Sequence, residues 1–350
     1  MNDILPLCGT DHHAGPIIIA GPCSAETPQQ ILDTGMALSR HGIKIFRAGL
    51  WKPRTKPGGF EGVGSEGLQW MIRVKKQTGM LLATEVATPR HTLEALEAGI
   101  DILWLGARTS ANPFAVQEIA DVLASSHKDV GVIVKNPVSP DLELWIGAIE
   151  RIYRSGVRRI AAVHRGFTSL DSAPYRNAPL WEVPVQLRMR YPQMEILCDP
   201  SHIAGRRDLL APVAQRAADM GFAGLIIESH CTPDEAWSDA AQQITPDNLA
   251  TLLSSLKWRS AHIATEHLDI LRTRIDDCDQ RLIEILAARM NISVEIGDYK
   301  RCQDMPVLQP DRFNNLLRSR LELGAKTGLS REFVTALFTL IHEESVRRQL

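Results

Sequence analysis

The chain has 350 residues and a formal net charge of −2, with 44% hydrophobic and 23% charged residues. This length predicts about two domains, and the balanced charge gives no general attraction to nucleic acid or to an anionic membrane. No apolar run reaches the roughly 18 residues of a membrane span, and the first residues lack the pattern of a signal peptide. The six cysteines are scattered without a C-x-x-C pair, so we expect a cytoplasmic protein with free thiols.

Eight short apolar runs alternate with amphipathic segments between residues 17 and 256. Each run is almost continuously apolar, which is typical of a parallel strand buried on both faces, and each gap is long enough for a crossover helix. The runs are 17–22, 44–50, 81–86, 102–107, 132–137, 159–166, 195–202 and 224–230. This pattern predicts an α/β fold, a closed (β/α)8 TIM barrel over residues 1–256. An open doubly wound sheet is the alternative, although no G-x-G-x-x-G motif opens any of its helices.

Polar residues stand at the carboxyl end of nearly every predicted strand, where barrel active sites are built. Cys23 follows the first strand, His202 and Glu228 follow the seventh and eighth, and Asp239 comes shortly afterwards. Because the first and last strands are neighbours in a closed barrel, these side chains can meet above the rim. Together they suit one divalent ion such as Mn, Fe, Co or Zn. Each of these residues also has an ordinary structural interpretation: Cys23 as a small core residue, His202 as a helix cap and Asp239 as a surface charge.

A set of cations surrounds the same predicted rim. Its members are Arg47, Lys52, Arg54, Arg108, Lys135 and Arg165. So many cations at one mouth repel one another unless anions bind there, so we expect a ligand with more than one phosphate or carboxylate group. The alternative is that each of these cations pairs with a nearby carboxylate of the protein.

These residues lie in motifs that resemble those of the 3-deoxy-D-arabino-heptulosonate 7-phosphate (DAHP) synthase family, most closely its type I-beta subgroup. The motifs are GPCSAET (21–27), FRAGLWKPRT (46–55), GAR (106–108), VIVKNP (132–137), HRG (164–166), DPSH (199–202), IESH (227–230) and SDAAQ (238–242). The resemblance implies a metal bound by Cys23, His202, Glu228 and Asp239. It also implies a TIM-barrel enzyme that condenses phosphoenolpyruvate with erythrose 4-phosphate.

The same resemblance assigns the cations. The residues that would surround phosphoenolpyruvate are Arg47, Lys52, Glu85, Arg108, Lys135 and Arg165. Arg54 and Thr55 of the KPRT segment would hold the phosphate of erythrose 4-phosphate; the sister enzyme that uses arabinose 5-phosphate lacks this segment. Lys52 is the first candidate to protonate the new alkoxide and Lys135 the second. A non-catalytic sugar-phosphate-binding barrel is the alternative, but such a module has no need of a Lewis acid.

After residue 256 the pattern becomes helical. We predict a linker over 257–264 and a three-helix domain over 265–350, with a break at Met305 and Pro306, an N-cap at Ser330, and a preceding turn marked by Gly324 and Gly328. Because so small a helical trio has a thin core, we expect it to form a homodimer.

The first of these helices carries apolar residues at three- and four-residue spacing. They are Leu268, Leu271, Ile275, Cys278, Leu282, Ile285, Ile292 and Ile296. Arg289 occupies a position in this series, and Lys300 lies on nearly the same face because each residue turns the helix by about 100°. Arg272 falls off that face, so a partner chain would have to supply it. Buried cations need anions as partners. For Arg289 taken alone, the alternative is a side chain that extends to solvent and pairs with a nearby Glu.

This spacing resembles the all-helical chorismate mutase family over residues 265–350. The resemblance implies a dimeric site for the dianion chorismate formed by Arg272, Arg289, Lys300, Arg312, Ser345 and Gln349. Lys300 and Gln349 would stabilise charge on the ether oxygen during rearrangement to prephenate. Gln309 and Phe313 stand where the family has acidic residues, so the alternative is a regulatory dimerisation module with weak mutase activity. The fusion itself predicts feedback by prephenate or chorismate.

Overall fold

The computed structural model describes residues 1, 3–9, 15–52, 58–169, 172–259, 266–308 and 310–350. The chain divides into two compact units, Met1–Ala261 and His262–Leu350. Most of the predicted linker, 260–264, lies outside the described residues, so the domain bounds 1–256 and 265–350 stay a prediction.

The first unit is a closed barrel of eight parallel strands in sequential order, which confirms the predicted (β/α)8 fold. The strands are β1 Ile17–Gly21, β2 Ile45–Arg47, β3 Leu81–Val86, β4 Ile102–Leu105, β5 Gly131–Lys135, β6 Ile160–His164, β7 Glu195–Cys198 and β8 Gly224–Glu228. Strand β1 pairs with β8 along its whole length, with Ile17 opposite Gly224 and Gly21 opposite Glu228. This pairing closes the barrel and brings the ends of the first and last strands together.

Helices surround the strands. They are α1 Pro28–Arg40, α2 Glu66–Thr78, α3 Pro89–Ala98, α4 Ala107–Ser110, α5 Pro113–Ser126, α6 Leu142–Arg154, α7 Glu182–Arg190, α8 Pro200–Ala204, α9 Leu210–Asp219 and α10 Pro246–Ser255. The side chains of Thr27, Thr88 and Asp141 accept backbone N–H bonds at the starts of α1, α3 and α6, which satisfies donors that the first helical turn leaves free. No helix among the described residues is long and apolar enough to cross a membrane.

Alternate residues of each strand point into the barrel, and these inward residues form their own buried cluster. Ile19, Ile45, Trp104, Ile133 and Ile226 belong to it. The other residues of the strands pack against the helices in a larger core. Because strand side chains alternate with period two, the residue two positions beyond each inward apolar residue also points inward, at the carboxyl rim.

The described residues of the second unit form three helices, α11 Glu266–Cys302, α12 Pro310–Lys326 and α13 Arg331–Gln349. Ser330 caps α13 by accepting the Phe333 N–H at 3.2 Å, and Gly328 has φ +80° in the turn before it. The expectation for Gly324 is wrong, because this residue lies within α12. A Cβ there would stand 2.6 Å from Cγ2 of Val334, so the glycine lets α12 approach α13 closely.

The buried line of α11 differs from the predicted apolar series. Met290, Ser293 and Lys300 are buried on the side of α11 that packs against α13. By contrast, Ile285 and Ile292 of the predicted series are 65% and 55% exposed. The spacing of apolar residues therefore marks a face of the helix, but within this chain that face is not the covered one.

Candidate active sites

The predicted polar rim of the barrel follows from strand periodicity. Arg47, Lys135 and Glu228 each stand two residues beyond an inward-facing isoleucine, namely Ile45, Ile133 and Ile226. They therefore form the layer above the apolar interior, at the carboxyl end of the strands. All three are buried.

Three of the four predicted metal ligands lie together at this rim. One ligand atom from each of Cys23, Glu228 and Asp239 lies within 4.8 Å of the others, and Cys23 Sγ is 3.2 Å from Asp239 Oδ2. His202 Nε2 is 3.9 Å from Glu228 Oε1, and its other ring nitrogen lies 2.8 Å from Asp199 Oδ2. A carboxylate on the second nitrogen is the usual support of a metal-binding histidine.

The donor set fits a divalent metal. Among the described residues, Glu228 Oε1 is buried and has no hydrogen-bond partner. Its polar neighbours are the Arg47 guanidinium at 3.4 Å and His202 Nε2 at 3.9 Å, so this oxygen is available to face a bound cation. Burial raises the pKa of the Cys23 thiol to about 12, and Glu228 adds to this rise. Burial disfavours ionisation of Asp239 too, but Arg176 and His202 hold its pKa well below the usual range. The cluster thus offers a thiol, an imidazole and ionised carboxylates, which is a mixed set suited to transition metals.

A cavity of about 270 Å3 opens beside this cluster, and cations dominate its wall. Its charged lining residues are Lys52, Glu85, Arg108, Lys135, Arg165, Arg176, His202 and Asp239. Lys52 Nζ contacts Cys23 Sγ at 2.8 Å, and Lys135 Nζ pairs with Asp199 at 2.7 Å. The structure therefore brings four of the predicted cations to one cavity, together with two of the predicted metal ligands, His202 and Asp239.

Arg47 lies behind the cavity and is only 2% exposed. Its guanidinium stacks over Trp104 at 4.7 Å and stands 3.4 Å from Glu228 Oε1. Within the described part of the chain its Nε and Nη1 atoms are buried without a hydrogen-bond partner. Such donors favour an anion at the site.

Other residues of the cavity are held by specific contacts. Arg165 donates to Asn177 Oδ1 at 2.8 Å, and burial lowers its pKa to about 10. Glu85 accepts the indole N–H of Trp104 at 3.1 Å. A Cβ at Gly106 would stand 2.1 Å from Glu85 Oε1, so a side chain there would displace this carboxylate from its position. Arg108 lies exposed on the cavity wall, whereas Arg54 and Thr55 lie outside the described residues.

Sequence reasoning missed three supporting residues. Arg176 donates to Asp239 Oδ1 at 3.0 Å and to Gln242 Oε1 at 2.8 Å. Gln242 donates to Glu228 Oε2 at 2.7 Å, and Gln243 contacts the backbone of Cys23 at 2.9 Å. All three belong to loops or a single short turn, where no periodic pattern marks them. The SDAAQ segment, which ends at Gln242, was the only signal.

The helical unit groups four of its six predicted site residues as two pairs. Lys300 donates to Gln349 Oε1 at 3.0 Å and to the Val307 carbonyl at 2.7 Å. Arg289 donates to the hydroxyl of Ser345. Lys300, Ser345 and Gln349 are buried, so the pairs lie in the seam between α11 and α13.

Two further predicted residues, Arg272 on α11 and Arg312 on α12, are exposed on their helices. Phe313, which stands where an acidic residue was expected, stacks on His342 with ring centroids 4.1 Å apart. Gln309 lies outside the described residues.

A closed (β/α)8 barrel with this rim is an enzyme scaffold that gathers cations and metal-ligating side chains round one small cavity. The model of the DAHP synthetase I family matches residues 7–265, so the chain belongs to that family. The model of chorismate mutase type II matches residues 271–350, which gives the helical unit the same assignment as its sequence pattern.

Individual relatives agree with both matches. The chain is 32% identical over 240 residues to a phospho-2-dehydro-3-deoxyheptonate aldolase of Thermotoga maritima, an alignment that covers 69% of this chain and 68% of that protein. It is 27% identical over 261 residues to a 2-dehydro-3-deoxyphosphooctonate aldolase of Dechloromonas aromatica, covering 68% of this chain and 89% of the relative. Its helical unit is 33% identical over 84 residues to a 4-amino-4-deoxychorismate mutase of Streptomyces pristinaespiralis, covering 24% of this chain and 65% of that one.

A solved structure shows the same fold. The crystal structure of the DAHP synthase from Thermotoga maritima superposes with a TM-score of 0.62 at 30% identity, and the alignment covers 69% of this chain and 68% of that one.

Proposed function

We propose that the barrel condenses phosphoenolpyruvate with erythrose 4-phosphate to give DAHP and phosphate, and that the helical unit rearranges chorismate to prephenate. One observation carries the first activity: the thiol and carboxylate cluster and the cationic cavity share one rim, joined by the Lys52 contact to Cys23. The pairs Arg289–Ser345 and Lys300–Gln349 carry the second.

The cations orient the first substrate. Lys135, Arg108 and Arg165 line the cavity and would hold the carboxylate and phosphate of phosphoenolpyruvate, with Arg47 behind them. Arg54 and Thr55 would hold the phosphate of the sugar. Fixing both ends of each substrate places C3 of the enol against the aldehyde carbon, which removes much of the entropic part of the barrier.

A divalent ion of the Mn, Fe, Co or Zn class would be held by Cys23, His202, Glu228 and Asp239. When bound, it supplies Lewis acidity toward the aldehyde oxygen.

Lys52 moves the proton. Its burial disfavours the ammonium form, but Cys23 and Glu228 raise its pKa above the ordinary value, so it stays charged. As C3 bonds to the aldehyde carbon, Lys52 protonates the alkoxide oxygen, with Lys135 as the second candidate. Water then adds at the electron-deficient C2 and loses one proton, which gives a hemiketal phosphate. The bond between C2 and the phosphate oxygen breaks, phosphate leaves with the electron pair, and the C2 hydroxyl loses its proton to become the keto group of DAHP.

Phosphate release from phosphoenolpyruvate tests this activity. We expect release with erythrose 4-phosphate, loss of the reaction with a chelator, and recovery when a divalent metal is restored. Because relatives of this chain include 2-dehydro-3-deoxyphosphooctonate aldolases, arabinose 5-phosphate is the control substrate. Faster reaction with the five-carbon sugar would contradict the proposal.

The mutase reaction needs no covalent step. Arg289 and Lys300, with Ser345 and Gln349, would hold the two carboxylates and the ether oxygen, and stabilise charge that develops on that oxygen. The chorismate mutase match does not favour the alternative of a regulatory module with weak activity. Chorismate consumption by the purified protein is the direct measurement.

A homodimer through the helical unit is also part of the proposal. The exposed face of α11 is apolar, with Ile275 at 60%, Ile285 at 65% and Ile292 at 55% exposure. A second copy would cover this face and would bring its Arg272 to the site. Light scattering should give twice the chain mass, and a monomer at micromolar concentration would contradict this part. The cytoplasmic location stays a prediction.

Feedback by prephenate or chorismate follows from the fusion of the two units. Removal of residues 260–350 should relieve the inhibition of synthase activity by these two compounds. A truncated protein that either compound still inhibits would contradict this part of the proposal.

A further inference from the structure

Two adjacent glutamines lie behind the metal-ligating cluster and are almost completely buried. Gln242 is 1% exposed and Gln243 is 0% exposed. Neither carries charge, and neither has been given a part in the reaction. Each uses both ends of its amide. The partners of Gln243 belong to segments that carry proposed ligands, whereas the partners of Gln242 are the proposed ligand Glu228 and Arg176, which contacts Asp239.

Gln242 fixes one oxygen of Glu228. Its Nε2 donates to Glu228 Oε2 at 2.7 Å, while its Oε1 accepts from Arg176 Nη1 at 2.8 Å. A carboxylate only accepts hydrogen bonds and a guanidinium only donates them, so the amide has one allowed orientation. With Oε2 engaged in this way, Glu228 turns Oε1 toward His202 and Arg47.

Gln243 joins the loop after β1 to the loop after β8. Its Oε1 accepts the backbone N–H of Cys23 at 2.9 Å, and its Nε2 donates to the backbone carbonyl of Ser238 at 2.8 Å. Ser238 directly precedes Asp239, and its hydroxyl also lies 2.6 Å from that of Ser24. One buried amide therefore sets the separation of two backbone segments, each adjoining a proposed ligand.

We propose that Gln242 and Gln243 are positioning residues for the metal centre. Gln242 selects the Glu228 oxygen that faces the ion, and Gln243 holds Cys23 in register with Asp239. This inference rests on the proposed metal-dependent function of the barrel. Groups that orient metal ligands in this way typically change metal affinity by about 10- to 100-fold when they are removed.

The chain offers a matched control. Gln215 on α9 also bridges a backbone N–H and a backbone carbonyl, both of Lys257, at 2.9 and 3.0 Å. It has no described contact with the proposed ligands. Gln215→Met therefore removes the same kind of amide bridge away from the rim.

The first measurement is titration of chelator-stripped full-length protein with Mn²⁺ in a calorimeter. We expect Gln242→Met and Gln243→Met to raise the Mn²⁺ dissociation constant by about 10- to 100-fold, while Gln215→Met leaves it unchanged. The melting curve of each metal-free variant reports folding. If a Met variant is unfolded, the corresponding Gln→Asn variant replaces it, because the side chain stays a neutral amide but is too short to reach both of its partners.

Co²⁺ supplies a readout that a merely structural role would not move, because a thiolate bound to Co²⁺ gives a charge-transfer absorption. Gln243→Met should weaken this band, since it frees Cys23, whereas Gln242→Met should keep the band at saturating Co²⁺. Variants with wild-type Mn²⁺ affinity and wild-type Co²⁺ spectra would overturn this inference but would not contradict the metal-dependent function. A wild-type protein that binds none of Mn²⁺, Fe²⁺, Co²⁺ and Zn²⁺ would overturn the metal-dependent function, and this inference with it.

Discussion

The ammonium nitrogen of Lys52 lies 2.8 Å from the sulfur of Cys23. The proposed proton donor therefore touches a proposed metal ligand, although the two residues follow different strands. Burial raises the pKa of the Cys23 thiol to about 12, and the Lys52 charge opposes that rise. Because the two side chains have different roles, substitution of Cys23 should remove metal binding, whereas substitution of Lys52 should remove proton transfer and leave metal binding intact.

Cys23→Ser should abolish metal-dependent synthase activity. A serine hydroxyl is a much poorer ligand for a transition metal than a thiolate, so the loss of Mn²⁺ affinity should exceed the about 10- to 100-fold typical of a supporting residue. Mutase activity should be unchanged, because the residues proposed for the mutase site lie in the other unit. Calorimetry and the two activity assays check this, with Cys8→Ser as the control thiol. A Cys23→Ser protein with wild-type synthase activity would refute the assignment.

Lys52→Met should separate proton transfer from metal binding. Loss of a general acid typically lowers a rate by about 10²- to 10⁴-fold, so kcat should fall by that order while the protein still binds Mn²⁺. Measurement of kcat beside the Mn²⁺ dissociation constant distinguishes this result from loss of the metal. Equal losses in both quantities would place Lys52 in a structural role.

The barrel rim could be predicted because chemistry and strand periodicity coincide there. Arg47, Lys135 and Glu228 end β-rich runs, and the carboxyl ends of parallel strands meet at one edge whatever the helices do. Arg176 and Gln243 follow no such rule. Their positions depend on loop conformations that a single sequence does not specify, and a neutral glutamine has no charge to reveal its role.

The helical unit shows a different limit. The apolar spacing of α11 predicts one face correctly as apolar, but it does not say what covers that face. Ile285 and Ile292 remain exposed within the chain, whereas Ser293 and Lys300 are buried against α13. The face that the apolar spacing marks is therefore not the one that α13 covers within the chain, and hydrophobic periodicity alone does not reveal the polar residues buried in the seam.

Asp199→Ala should destabilise the barrel. Asp199 pairs with Lys135 at 2.7 Å, and both side chains are buried. Removal of one partner of a buried ion pair costs about 3–5 kcal/mol, because the remaining charge is left uncompensated. All seven tryptophans lie in the first 258 residues, so urea unfolding followed by tryptophan fluorescence reports the barrel. The Asp199→Asn side chain can still accept the backbone N–H of His202 at the start of α8, so this variant should lower the free energy of unfolding by less.

Acid should remove the same stabilisation. Burial raises the pKa of Asp199, but His202 and Lys135 outweigh it and hold that pKa well below its ordinary value. The contribution is therefore present above the unfolded pKa of about 3.9 and is lost as the pH falls through the folded pKa. Below about pH 4 the difference in unfolding free energy between wild type and Asp199→Asn should shrink. A difference that does not depend on pH would show that the carboxylate charge is not responsible.

Gly297→Ala should impair the mutase. A Cβ at Gly297 on α11 would stand 2.8 Å from Cα of Gln349 on α13, so the added methyl group pushes apart the helices that carry Lys300 and Gln349. Overpacking of this kind costs about 1–3 kcal/mol, more than the roughly 1 kcal/mol that alanine gains over glycine within a helix. Chorismate turnover should fall, and synthase activity should persist. Gly147→Ala is the control, because no described heavy atom lies within 4 Å of a Cβ added there in α6. The unfolding free energy of the Gly147→Ala protein should rise by about 0.5–1 kcal/mol. A Gly297→Ala protein with unchanged mutase kcat would show that the Lys300–Gln349 contact tolerates a wider separation of α11 and α13.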